Sequence, residues 1–408
     1  MKYLIVSMCM AMVPQLAPAQ SLTECVNYAQ AHSLRIKSAQ LQMQRALRNE
    51  GSFFEIDKTE LSLSQDPTSG GSPDNAFTLS QRVDFPTVYA SRRQLLKAET
   101  AVEAARTQLT ASELTKEVAE VYTDILLSRH EAELLKQNDS ILSDFVRIAK
   151  VRLINGETNR LEVLNAEQLQ SENKLRLQSV ISRMSISTNL LQTLMNADFA
   201  VVPIDDYIPA MLQGNEMVAS DYAYNITPQG VLMDAERQLA ERKLKLVRQD
   251  FMPSFSLGIR HQFVMSGLNP YDVDRSKFEK GGWMGFEFGV AFPLFFGSQK
   301  AKTAVAKYDV ELVNNRLAEE SSKAGAAYQA AQASLATAYN SYDQWQHVSL
   351  PHAREIRRLS LIEYQAGEIS YVEHIQHLNA ALEAELSAAQ AADELNKAII
   401  KLNYITGK

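Results

Sequence analysis

The sequence predicts a mainly α-helical chain with a small β part, built as two internal repeats. Three observations carry this expectation. No proline occurs between Pro86 and Pro203, a span of about 115 residues that can stay helical. Elsewhere, short segments alternate apolar and polar residues with the period of a strand. Two landmarks also recur in the same order: Gly156-Glu157 returns as Gly367-Glu368, about 211 residues on, and Phe85-Pro86 returns as Phe292-Pro293, about 207 on.

Taken in order, the first element is an export signal over residues 1–19. Lys2 is its positive end, Tyr3 to Val13 its apolar stretch, and Ala17-Pro18-Ala19 an A-x-A cleavage site before Gln20. Cys9 leaves with it. Cys25 is then the only mature cysteine and is expected to pack as a small apolar residue. The first repeat spans 20–201: a helical segment from Ser21 to about Asn49, two short strands, a very long helix over about 87–154, then, after Gly156, a shorter helix to about Asn196. A linker follows over 202–226, holding Pro203 and Pro209 and ending just before Pro228. The second repeat, 227–408, runs the same way: a helix to about Gln249, two strands, a long helical stretch over about 298–365, then a helix from beyond Gly367 to about Asn403.

The strands are amphipathic. Phe255, Leu257, Ile259 and Phe263 share one side of their segment, opposite Ser254, Ser256, Gly258, Arg260 and Gln262. Met284, Phe286, Phe288, Val290 and Phe292 likewise oppose Gly285, Glu287, Gly289 and Ala291. Phe77, Leu79, Val83 and Phe85 alternate with Thr78, Ser80, Arg82 and Asp84, and Leu61 and Leu63 mark a weaker strand. Period two with one wet face fits either a soluble sheet edge or a membrane barrel with lipid on its apolar side. The segments between strands, 66–74 and from Ser266 onward, are polar and turn-rich.

Helical rise allows a length test. About 68 residues from Thr87 to Ile154 span ~100 Å, and the two shorter helices of that half, laid end to end, span about the same. A globular domain of this size has a radius of gyration of only ~20 Å, so an elongated molecule is expected. Two helix-weakening points stand out, Pro351 in the second half and Asn138-Asp-Ser140 in the first, and each is expected to mark either a bend or a plain break at a helix junction.

Composition narrows the function. The net charge is −7, which argues against nucleic acid as a partner. No phosphate loop, nucleophile elbow, dinucleotide fingerprint or zinc-protease motif occurs, so no catalytic residue and no cofactor is expected. Glu373, His374 and His377 lie close enough along one helix to invite a metal, but polar helix tips produce such spacings often and no metal site is assigned.

On the turn segment Tyr364-Gln-Ala-Gly-Glu-Ile-Ser-Tyr-Val-Glu373, its first-half copy around Gly156, and the strand-to-helix exits at Pro86 and Pro293, the whole mature chain resembles the TolC family of outer-membrane efflux proteins. The resemblance implies a homotrimer with four strands per protomer in one shared transmembrane β-barrel, continued by a long α-helical barrel across the periplasm. It implies a passive exit duct that works with a periplasmic adaptor (membrane fusion protein) and an inner-membrane pump of the resistance-nodulation-division type, seated in outer-membrane lipid. Gly156 and Gly367 would form the tip turns, and Glu373, with Glu162 as its first-half counterpart, would line the periplasmic gate. A second family acid is replaced by Gln376, which leaves fewer carboxylates there. The length and the exit Asp84-Phe-Pro-Thr-Val-Tyr89 resemble the branch paired with heavy-metal cation exporters. The rival expectation is a periplasmic coiled-coil structural or adaptor protein, its strands forming a soluble domain.

Overall fold

The structure, a computed structural model, describes residues 19–65, 75–199, 201–205, 222–263 and 282–407. The export signal up to Pro18, the inter-strand segments 66–74 and 264–281, and most of the expected linker, including Pro209, lie outside the described residues. Both halves show the anticipated order of elements. The first runs β1 (Ala19–Gln20), α1 (Leu22–His32), α2 (Leu34–Asn49), β2 (Glu60–Gln65), β3 (Asn75–Asp84), α3 (Pro86–Ile154) and α4 (Arg160–Met195), followed by β4 (Val202–Pro203). The second runs α5 (Pro228–Val247), β5 (Ser254–Phe263), β6 (Trp283–Ala291), α6 (Gly297–Gln344), α7 (Leu350–Ala366) and α8 (Tyr371–Thr406).

The chain divides into two compact units. The described residues of Met1–Ser38, Gln108–Thr227 and Ser322–Lys408 make the first, and those of Ala39–Thr107 and Pro228–Ser321 the second.

The second unit carries a four-stranded antiparallel sheet in the order β2-β3-β5-β6. Its register lines up one face in rows: Leu61, Leu79, Ile259 and Phe286 across the four strands, with Gln81, Leu257 and Phe288 beside them. The opposite face carries Glu60, Ser80, Gly258 and Glu287 in one row and Ser62, Thr78, Arg260 and Gly285 in the next. The apolar face is uncovered: Phe286 is 89% exposed, Met284 71% and Leu61 69%. Where the chain leaves the sheet, Asp84 donates its N–H to the Tyr89 hydroxyl at 2.9 Å, and Tyr89 packs on Phe54. The helices of this unit are tied by polar contacts, with Thr87 donating to Gln249 at 2.7 Å and Glu236 pairing with Arg106 at 3.7 Å.

The first unit has its main core between α1, the start of α2, α3 and α4. Cys25, Ala29 and Ile36 meet Leu114, Val118, Tyr122, Leu191 and Met195. Cys25 is fully buried and free, as expected, and burial pushes its thiol up to about 12. Helix α1 opens with a capping box in which the Ser21 hydroxyl accepts from Glu24 N–H while Ser21 N–H donates to the Glu24 carboxylate. The anticipated single helix from Ser21 to Asn49 is in fact two, because Ser33 takes an extended ψ of 131° and breaks the ladder. β1 and β4 pair in parallel, Ala19 with Val202 and Gln20 with Pro203, so two residues expected in a linker are a strand. Asp205 fastens this junction by accepting from Leu22 N–H at 3.0 Å and from the Tyr122 hydroxyl at 2.8 Å. Arg129 donates to the carbonyls of Pro203 and Asp205 at 2.7 Å each.

Of the two weak points, one interrupts no helix. α3 runs unbroken for 69 residues through Asn138-Asp-Ser140. Asn138 is a weak helix former, but its side chain joins two helices. Buried, it donates to Asn173 Oδ1 on α4 at 2.9 Å, and Asn173 donates back to the Leu135 carbonyl at 3.0 Å. At Pro351 the break is real, and one π-helical turn, Trp345–Ser349, separates α6 from α7.

Candidate functional site

The helix-to-helix turns of the first unit hold the expected gate residues. Each long helical stretch ends at a glycine with positive φ, Gly156 at 75° and Gly367 at 77°, the region that favours residues without a Cβ. The two turns match bond for bond. Gly156 N–H meets the Leu153 carbonyl at 3.1 Å and Glu157 N–H the Arg152 carbonyl at 2.9 Å. Gly367 N–H meets Tyr364 at 3.1 Å and Glu368 N–H meets Glu363 at 2.9 Å. Three residues beyond each glycine a polar side chain caps the next helix. Asn159 accepts from Glu162 N–H at 3.1 Å, and the Ser370 hydroxyl accepts from Glu373 N–H at 3.3 Å.

Glu162 and Glu373 therefore occupy the same position of their helices, but their carboxylates do different work. Glu162 is drawn in: its side chain is 16% exposed, bonded to Arg152 at 3.0 Å and to the Thr158 hydroxyl. Its charge is matched. Glu373 is open to solvent and accepts from Ser370 N–H at 2.8 Å, completing a capping box. That backbone bond holds its carboxyl below the usual carboxylate range, so it stays ionised. Gln376 is exposed on the same first turns of α8. The outward charge of the second turn is thus carried by Glu373 together with exposed Glu368, with no cation bonded to Glu373 among the described residues.

The two histidines part company. His374 is 2% exposed, bonded to Ser360 Oγ at 2.6 Å, and stacked on Tyr364 at 4.8 Å between centroids. His377 faces outward. Among the described residues no cluster of three His, Cys, Asp or Glu side chains could hold a metal ion. What the sequence did not single out is the aromatic packing that joins the two hairpins. Phe145 of α3 lies 5.2 Å from Tyr371 and 5.3 Å from His374, both of α8, over a core with Val146, Ala166, Ile375 and Leu378. The signal was available in the turn segment, where Tyr371 and His374 stand three apart at the start of one helix and Tyr364 precedes the turn glycine.

The exits from the sheet differ between halves. Pro86 is the first residue of α3, where its missing N–H costs nothing. Pro293 lies in a stretch between the end of β6 and the start of α6 at Gly297, flanked by exposed Phe292, Leu294 and Phe295. No helix among the described residues is long and apolar enough to cross a membrane.

Neither a protein-family model nor a curated protein sequence matches the chain. Solved structures do. The chain is similar to the CmeC outer membrane channel of Campylobacter jejuni, with a TM-score of 0.75 at 16% identity over 95% of this chain and 85% of that one. It is similar to CusC, solved in a study of folding and transmembrane channel formation, with a TM-score of 0.77 at 14% identity over 96% and 93%. VceC, an outer membrane protein of Vibrio cholerae, gives 0.74 at 14% identity over 95% and 96%. The chain has the fold of these outer-membrane channel proteins, mainly helical with a small antiparallel sheet.

Proposed function

We propose that the chain is one protomer of an outer-membrane efflux channel, the passive exit duct of a tripartite system. The observation that carries this is the sheet: four amphipathic strands with a continuous, uncovered apolar face and two edges, β2 and β6, that pair with no other strand among the described residues. An exposed apolar face of this size is costly in water, and unpaired strand edges are costly in lipid. Joining β2 of one copy to β6 of the next in a closed ring of three resolves both, with lipid on the apolar face and water on the face of Ser80, Gly258, Arg260 and Glu287. A soluble periplasmic coiled coil leaves the apolar face unexplained.

In this reading the helices line a water-filled tunnel, and the turns at Gly156 and Gly367 form its periplasmic mouth. Three copies of Glu373 around the symmetry axis give a negative ring that favours cations, while Glu162 adds little because Arg152 matches it. Solutes arrive from an inner-membrane pump of the resistance-nodulation-division type through a periplasmic adaptor. The exit Asp84-Phe-Pro-Thr-Val-Tyr89, which resembles the branch paired with heavy-metal cation exporters, and the acidic mouth favour metal cations as cargo. Purified protein placed in planar bilayers is expected to give discrete, cation-selective conductance steps. A water-soluble monomer with no conductance would overturn the proposal.

A further inference from the structure

Pro351 has no N–H to offer the carbonyl of His347, and its ring crowds that carbonyl. The helix accommodates this with the single π turn Trp345–Ser349. Single π turns inside long helices are frequent at functional sites. Beside this one, wholly within the first unit, lies a cavity of about 310 Å³ bounded by α3, the end of α6, the π turn, α7 and α8. Its size falls at the lower end of small-molecule pockets, ~300–1,000 Å³.

The lining has a definite chemistry. Ala388, Ala389 and Ala392 of α8, all buried, form a floor with no side-chain bulk, and Tyr342 adds an aromatic wall. Two charged groups border the space. Glu385 is already committed, paired with Arg357 at 2.6 Å and only 10% exposed. Arg354 makes no ion pair or hydrogen bond among the described residues, although it lines the same cavity. His130 completes the polar side, and burial depresses its pKa, so it presents a neutral imidazole. The cavity thus combines an apolar floor, an aromatic wall, neutral hydrogen-bonding groups at His130 and Gln346, and one cation that no described residue pairs.

We propose that this cavity binds a small amphipathic organic anion such as an aromatic carboxylate, its acid group on the Arg354 guanidinium and its apolar body on the alanine floor. A guanidinium meets a planar carboxylate with two parallel N–H···O bonds, which a lysine or a neutral donor cannot reproduce. The proposal does not need the exit-duct reading, but it does need the cavity to stay open when copies of the chain assemble.

The test uses the purified full chain in detergent and 2-naphthoate as probe, followed by saturation-transfer NMR on the ligand. Saturable binding is expected near ~1 mM, the scale set by ligand efficiency for a molecule this small. Arg354→Gln, at an exposed position, is expected to weaken it about tenfold or more, the loss of a charge-assisted bond. Ala388→Leu, which fills the floor, is expected to abolish it, and neutral 2-naphthalenemethanol to bind about tenfold more weakly than the acid. Binding that never saturates, that survives both substitutions, or that is equal for acid and alcohol would overturn the proposal. So would a silent trimer, in which a neighbouring copy already fills the space.

Discussion

At the scale of single residues, Glu373 has two roles that substitution separates. It caps α8 and it carries one of the exposed charges of its turn. Glutamine at that position preserves the reciprocal cap and removes the charge, whereas alanine removes both. Block of conductance by polyvalent cations is expected to fall in Glu373→Gln as much as in Glu373→Ala. Block that persists in the glutamine variant assigns Glu373 to capping alone. Because its folded pKa is depressed, the cap contributes fully above the ordinary carboxylate pKa and fades as pH falls through the lower folded value. Gly367 tests the backbone instead. A Cβ there meets no atom within 4 Å, so Gly367→Ala is strained only by its φ of 77°. It is expected to cost about 1–2 kcal/mol in denaturant unfolding, with Gly367→Asn costing less. The glycines were legible in the sequence because the turn is local. The Arg152–Glu162 pair was not, since its partners meet only after the chain reverses at Gly156.

Elements were legible where their signal is periodic. β5 coincides with its anticipated span, and the other strands shift by one or two residues. Asn138 shows where the reading fails: low helix propensity there marks a cross-helix contact, and propensity alone cannot tell a break from a lock. Breaking the lock has a measurable cost. Asn138→Leu leaves Asn173 Oδ1 buried without its donor and is expected to destabilise the chain by about 1–3 kcal/mol. The double substitution Asn138→Leu with Asn173→Leu is expected to recover much of that loss, a coupling that a double-mutant cycle on unfolding measures directly. Additive losses would show that the two amides do not act together. The cavity beside the π turn was invisible in the sequence, although Pro351 was not, because its walls come from three stretches that only packing brings together.

For the whole molecule, the sheet decides the environment. Phe286, on the edge strand β6, has almost no contact within its own chain. Phe286→Arg is expected to cost about 2–4 kcal/mol on insertion, the penalty for a cation at mid-membrane depth on a lipid face. Its readout is loss of the heat-modifiable trimer band from outer-membrane fractions while the helical signal in circular dichroism stays. An unchanged band would place Phe286 away from lipid. The twofold repetition of the chain foretold the order of elements, but not the small parallel pair that joins β1 to β4, whose strands are two residues each. That pair has a consequence for biogenesis. A chain threaded through an export pore emerges from its beginning, and the partners of Gln20 and Leu22 are all in place once Asp205 has appeared. The front portion can then fasten its own ends while the rear portion is still in transit.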